Sequence, residues 1–404
     1  MRPSLRRSAL ASAALGMAAA LSSCSEDAEN SPSEATVTGD AEPAPAAPEE
    51  PASTPAPASP ATPEPATGTP VSASDLVTGL TSPWGLLVMR DGTMLVSERD
   101  TTEIKRVPAD GGTAEVVATV SDARPAGEGG LLGLATTPDE SRVFVYYTSE
   151  TDNRIVSMSW DGRRLGEPEV VFDGIPHGDG DRHEGGRMVV GPDDLLYVTT
   201  GETGDTPEMA QDPDQLGGKI LRLTLDGEPA PGNPFGDAIY SLGHRNIEGL
   251  AFDDRGRLWA SEFGDQTWDE LNLITPGGNY GWPEVEGSSD RDEFVDPAVV
   301  WRTENASPAG VAFWEGSLWM AGLRGETLWE VPLAPGEAGS PEDPGAAVEQ
   351  PVPHLQGELG RLRTVEVAAD GEGLLLATSN TDGRGDPAAD DDRILRVARD
   401  GDAG

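Results

Sequence analysis

The sequence predicts an all-β chain folded as a six-bladed β-propeller, preceded by a signal peptide and a disordered Pro/Ala/Glu-rich tether. Three observations carry this reading. One apolar strand pattern recurs six times along the chain, at intervals of roughly 50 to 60 residues, the range in which propellers and repeat arrays show themselves. Helical periodicity is nearly absent. The 50 Gly and 35 Pro of the 404 residues punctuate short strands with turns.

Taken in order, residues 1–23 read as a lipoprotein signal peptide. Arg2, Arg6 and Arg7 form a basic start, and the Ala-rich apolar run to Leu21 is too short to span a bilayer. Leu21 to Cys24 resembles a bacterial lipoprotein cleavage site, which implies that Cys24 becomes the lipidated first residue of the mature chain. Cys24 is the sole cysteine, so an internal disulfide and a thiolate metal cluster are both excluded. A free buried thiol is the plainer alternative. Residues 24–72 hold Pro, Ala, Glu, Ser and Thr with almost no aliphatic or aromatic content. Such a segment cannot bury enough apolar surface to offset its ordering entropy, so it reads as a tether. The expected location is extracytoplasmic and membrane-anchored, in the cell envelope or periplasm of a bacterium.

Residues 73–400 carry the repeat. Each copy is a short apolar strand, a Gly or Asp turn, and a second strand ending in small residues. The copies are Ser82–Ser97, Gly130–Thr148, Gly186–Thr199, Glu248–Ser261, Pro308–Ala321 and Arg363–Thr378. Stretches between them, such as Arg154–Trp160 and Ile220–Leu225, read as outer strands. Four strands per copy make one propeller blade. A β-sandwich or β-helix is the rival architecture, but the repeat is too long for a β-helix rung.

A formal net charge of −43 argues against nucleic acid or an anionic membrane surface as partner. Propeller sites lie at one mouth of the central channel, on loops that precede each innermost strand. Those loops hold Glu128, His183, Arg245, Asn246, Arg361 and Arg363, with Arg324 following the fifth copy. Several arginines on one rim of an acidic protein imply an anionic ligand, because Arg grips carboxylates in bidentate fashion. The plainer reading is that each pairs with one of the abundant Asp and Glu. His183 stands before Gly185 and Gly186, and a neutral imidazole can serve as general base near neutral pH. The Glu262–Asn272 and Pro276–Pro283 stretches offer carboxylates and turn carbonyls without sulfur or imidazole. That inventory suits a hard cation, Ca²⁺ before Zn²⁺.

Six motifs stand in register: Gly127–Gly133, His183–Arg187, Gly243–Asn246, Asp269–Asn272 with Gly278–Pro283, Gly360–Arg363 and Asn380–Arg384. Together they resemble the soluble glucose/sorbosone dehydrogenases, aldose sugar dehydrogenase-like quinoproteins that use pyrroloquinoline quinone (PQQ). The resemblance implies that His183 takes the proton of the anomeric hydroxyl while hydride passes to the quinone. It implies that Arg245 and Asn246 polarise the quinone carbonyl, with Glu128 nearby, and that Arg324, Arg361 and Arg363 bind its carboxylates. It places the carbonyls of Gly264 and Asp265 on a Ca²⁺ ion beside the cofactor, and Glu270 and Tyr280 on a second, structural Ca²⁺. The expected activity is oxidation of an aldose at C1 to the lactone, with electrons passed on to an acceptor. In this chain Arg182 precedes the histidine where some members carry a carboxylate, and Glu128 stands where Gln is frequent. A calcium-dependent propeller lactonase or other hydrolase, and a non-catalytic propeller binding module, are the alternative readings.

Overall fold

Each predicted repeat becomes one antiparallel four-stranded sheet, and there are six such sheets. The structure, a computed structural model, describes residues 68–401 apart from 179–181, 290, 337–338 and 341. The segment read as signal peptide, Cys24 and the tether up to residue 67 lie outside the described residues.

The first blade contains Pro83–Val88, Met94–Glu98, Glu103–Val107 and Glu115–Thr119. The second runs from Leu131–Thr136 to Glu169–Ile175, and the third from Met188–Val190 to Ile239–Leu242. The fourth runs from Ile247–Phe252 to Val299–Arg302, and the fifth from Pro308–Trp314 to Val352–His354. The sixth takes Leu362–Val367, Leu374–Thr378 and Ile394–Arg399 from the end of the chain. Its outer strand is Val71–Val77, paired with Ile394–Arg399 in antiparallel register. The repeat pattern does not reveal this closure, because Val71–Val77 has an edge-strand pattern of alternating exposure rather than the buried pattern of the copies. The strand also uses the last two residues of the stretch read as tether.

Apolar wedges between neighbouring blades form the core. Phe144, Ile155, Met188, Leu196, Leu221 and Ile239 join the second blade to the third. Trp259, Trp301, Leu318 and Trp329 join the fourth to the fifth. The inner strands, such as Met94–Glu98, Arg142–Thr148 and Leu258–Glu262, thus bury both faces, which is why the copies read as apolar runs rather than alternating ones.

Around the channel the innermost strands approach too closely for side chains on the contact side. A Cβ on Gly133 would lie 2.0 Å from the Gly186 carbonyl oxygen, and one on Gly249 would lie 2.4 Å from that of Ala309. Hydroxyls at the ends of second strands, or on the innermost strand itself, bridge to the next blade. Thr199 Oγ1 donates to the Ile247 carbonyl at 2.9 Å, and Ser261 Oγ donates to that of Ala309. Thr364 Oγ1 donates to the Trp84 carbonyl at 2.6 Å, which closes the ring from the sixth blade to the first. The first and second strands of a blade are antiparallel. Residues that enter the first strand and residues that leave the second therefore share one mouth of the channel.

Candidate active site

That mouth holds a cavity of about 200 Å³ to which every blade contributes. Trp84 and Arg99 come from the first blade, Glu128 from the second, and His183 from the third. Arg245, Asn246, Glu248 and Phe263 come from the fourth, Leu323 from the fifth, and Arg363 and Arg384 from the sixth. Four guanidinium groups face two carboxylates here, so the wall is cationic in a protein of net charge −43. The far end of the channel opens into a larger cavity of about 640 Å³, lined mainly by apolar residues such as Val190, Phe252, Val311 and Phe313. Arg187 lies between the two. It is buried, donates from Nε to the Glu248 carbonyl at 2.8 Å, and stacks on Trp84 at 4.3 Å.

His183 is buried and left-handed, with φ of 57°. Two contacts hold it there. Its N–H donates to Glu128 Oε2 at 2.8 Å, and its ring Nδ1 lies 2.6 Å from Glu202 Oε1. Gly201 makes room, since a Cβ at that position would collide with the His183 carbonyl at 1.7 Å. Glu202 is itself buried and fixed by the Gly204 N–H at 3.0 Å. An ionised carboxylate only accepts hydrogen bonds, so it draws the ring proton to Nδ1 and leaves the Nε2 lone pair as the basic site. Asn246 Oδ1 accepts the Gly185 N–H at 3.0 Å, tying the fourth blade to the loop that carries the histidine.

The sequence-predicted arginines divide in two. Arg245 and Arg363 line the cavity, and the Nε of each is buried with no hydrogen-bond partner among the described residues. Arg361 stands behind them. Its Nε and Nη2 reach Asp382 Oδ2 at 3.2 and 3.0 Å, and burial lowers its pKa. Arg324 is exposed next to the lining residue Leu323. The plainer reading of these cations is partly right: Arg245 pairs with Asp265 at 3.1 Å, and Arg363 pairs with Glu248. Asp382 accepts the Arg361 guanidinium and lies 3.6 Å from that of Arg363. Burial alone would raise its pKa, but the two arginines outweigh that and hold it low. It is an acid that racks the arginines side by side.

Several lining residues escaped the sequence reading. Arg99, Phe263 and Leu323 each stand just after a second strand that ends in Ser-Glu or Ala-Gly, and Glu202 follows Thr200-Gly201. The repeat carried this signal, because those positions share the mouth with the loops before first strands. Arg384 stood in a recognised motif without a role. Trp84 and Glu248 lie inside innermost strands, where an apolar or buried role is the ordinary expectation.

The oxygen-rich turn after Glu262 has a specific architecture. Glu286 Oε1 accepts the N–H groups of Asp265, Gln266, Thr267 and Trp268 at 2.7 to 3.1 Å. Gathering the amides on one side leaves the Gly264 and Asp265 carbonyls without hydrogen-bond donors among the described residues. This fits a hard cation held by backbone oxygens. No cluster of three or more His, Cys, Asp or Glu is placed to hold a metal among the described residues, so a cation at this turn would rest on the carbonyls. Behind the turn, Glu270 is buried beside Glu262, and Asn272 Nδ2 donates to both at 3.0 and 3.2 Å. Burial, and then the Glu262 charge, push the Glu270 carboxyl up to about 8. A cation there would relieve both. The Tyr280 hydroxyl donates to the Leu273 carbonyl at 2.7 Å and accepts the Thr275 N–H at 3.0 Å, so the structure does not bring it to Glu270 as a free ligand.

Residues 80–395 match the family model described as glucose/sorbosone dehydrogenase. Among solved structures, the PQQ-bound form of an aldose sugar dehydrogenase from Streptomyces coelicolor is 52% identical. It aligns with a TM-score of 0.76 over 82% of this chain and 99% of that one. The aldose sugar dehydrogenase YliI of Escherichia coli is 30% identical over 63% of this chain and 72% of its own length. Quinoprotein glucose dehydrogenase B of Acinetobacter calcoaceticus is 34% identical over 53% of each chain.

Proposed function

The chain belongs to the glucose/sorbosone dehydrogenase family, and from that premise we propose that it oxidises an aldose at C1 to the lactone with PQQ and Ca²⁺. The observation that carries this reading is the cationic wall beside an oriented histidine. Two buried guanidinium nitrogens without partners among the described residues, an arginine rack and a carbonyl-bearing turn form the donor set that a tricarboxylate quinone with calcium requires. The PQQ-bound relative supports the same cofactor here.

When bound, the quinone would supply the acceptor for the hydride that leaves C1. The chain supplies the rest. His183 Nε2 takes the proton of the anomeric hydroxyl, and Glu202 stabilises the imidazolium that results. Arg363, Arg361 and Arg324 would hold the carboxylates of the cofactor, and Arg245 and Asn246 would stand at its reacting carbonyl. Gly264 and Asp265 would hold Ca²⁺ through their carbonyls, and Glu270, with the neighbouring Glu262 in place of the Tyr280 hydroxyl, would hold a second ion. The channel mouth excludes bulk water through Trp84, Phe263 and Leu323. A hydrolase or a binding module would have no use for the rack and the oriented histidine together.

We extend the reading to the whole chain as a lipoprotein, with a signal peptide over 1–23, an anchor at Cys24, a tether over 24–72 and the propeller over 73–400. Reduced enzyme would pass its electrons to an external acceptor. No helix among the described residues is long and apolar enough to cross a membrane.

The test is reconstitution. Protein purified without cofactor should reduce a dye with aldoses only after both PQQ and CaCl₂ are added. Dye reduction that needs neither, or no PQQ binding by calorimetry, would overturn the proposal.

A further inference from the structure

Glu128 and Arg384 meet across the mouth from the second and sixth blades. Arg384 Nη2 lies 2.9 Å from Glu128 Oε1, while Glu128 Oε2 accepts the His183 N–H at 2.8 Å. The turn that carries Arg384 is fixed from below. Asp392 accepts the N–H groups of Asn380 and Thr381, and Asp382 Oδ1 accepts the Arg384 N–H at 2.9 Å. One carboxylate therefore touches both an exposed cation at the rim and the backbone of the histidine.

We propose that Arg384 is a positioning residue for His183: it holds Glu128 in place and offsets the charge of that carboxylate beside the imidazole. The proposal rests on the reading of His183 as the base. Charged groups face the histidine from every neighbouring element. Glu202 sits on Nδ1, Glu128 on the backbone, and Glu248, Arg99, Arg245 and Arg363 share the cavity. Glu202 and Glu128 both place a carboxylate against the histidine, and an imidazole that already holds both ring protons cannot act as a base. Arg384 is the cation that the structure pairs with Glu128. Burial alone would raise the Glu128 pKa, but the His183 N–H and Arg384 outweigh it and keep the carboxyl ionised, and the His183 ring contributes in the same sense. Without Arg384 that charge would act on the imidazole with no cation paired to it.

A double-mutant cycle read by NMR tests this. The protein has four histidines, so ring signals can be assigned with His183→Gln, and buried His244 and His354 serve as internal controls. In cofactor-free protein, Arg384→Gln should move the His183 titration midpoint up by roughly half a unit to one unit, a screened fraction of a full charge contact. Glu128→Gln, which keeps an acceptor for the His183 N–H, should move it down. The double variant should return near the wild type, and Arg384→Lys, which keeps the cation, should stay close to the wild-type midpoint. In reconstituted enzyme the acid limb of kcat/KM should move in the same order. An unmoved midpoint in Arg384→Gln, or a double variant that fails to compensate, would overturn the proposal. The predicted NMR order without any aldose oxidation would support the coupling and count against the dehydrogenase reading instead.

Discussion

Glu202 does for His183 what no property of the histidine alone could do: at 2.6 Å it selects the tautomer and anchors the ring. Replacing it with Gln keeps the size but removes the charge that stabilises the imidazolium. We expect kcat to fall roughly 100-fold with KM little changed, the pattern of an interaction made in the transition state. Steady-state kinetics with saturating PQQ and Ca²⁺ would check it. At this scale the sequence was legible where a residue type is rare and its position telling. His183, Arg245 and Asn246 are legible because they precede innermost strands, and Arg363 because it stands at the start of one. The roles of Arg384 and Asp382 are not legible, because an acid or arginine among 71 Asp and Glu and 28 Lys and Arg carries little signal until its partner is known.

Elements set where these groups stand. The turn at 264–268 owes its shape to one carboxylate, since Glu286 gathers four successive amides. Glu286→Ala strands those donors and should cost about 2 kcal/mol in urea unfolding. It should also raise the Ca²⁺ concentration needed for half-maximal activity, because the carbonyls of Gly264 and Asp265 lose their orientation. The outer strand Val71–Val77 is the other dependent element. Deleting residues up to 78 leaves Ile394–Arg399 with an unpaired edge and opens the ring between the sixth and first blades. Such a truncation should lose the single cooperative transition in calorimetry. The strand pattern of five blades was legible because burial on both faces writes itself as apolar runs. The sixth blade was legible only in part, since its closing strand is chosen by ring closure, a property of the whole chain.

Ring closure also concentrates buried acids at the whole-molecule scale. Burial raises Asp269 to about 6, Glu366 to about 7 and Glu270 to about 8. In each case the folded state holds the proton longer than the unfolded state, so stability is present below the unfolded values and is lost as pH rises toward about 8. Glu330 runs the other way. Burial opposes its ionisation, but His354, Arg399 and Ser317 outweigh it and bring it to about 2. Its contribution is present above the unfolded value and is lost as pH falls toward about 2. Chelated protein should therefore melt at lower temperature at pH 8 than at pH 6. Added Ca²⁺ should recover more at pH 8, where Glu270 would otherwise be an uncompensated charge beside Glu262. Equal Ca²⁺ stabilisation at both pH values would contradict this placement of the ion. The most direct measurement is on His183→Ala reconstituted with PQQ and Ca²⁺. The account predicts cofactor binding by calorimetry close to that of the wild type, with aldose oxidation reduced roughly 1,000-fold. Undiminished oxidation in that variant would contradict the assignment of the base, and with it the account of the site.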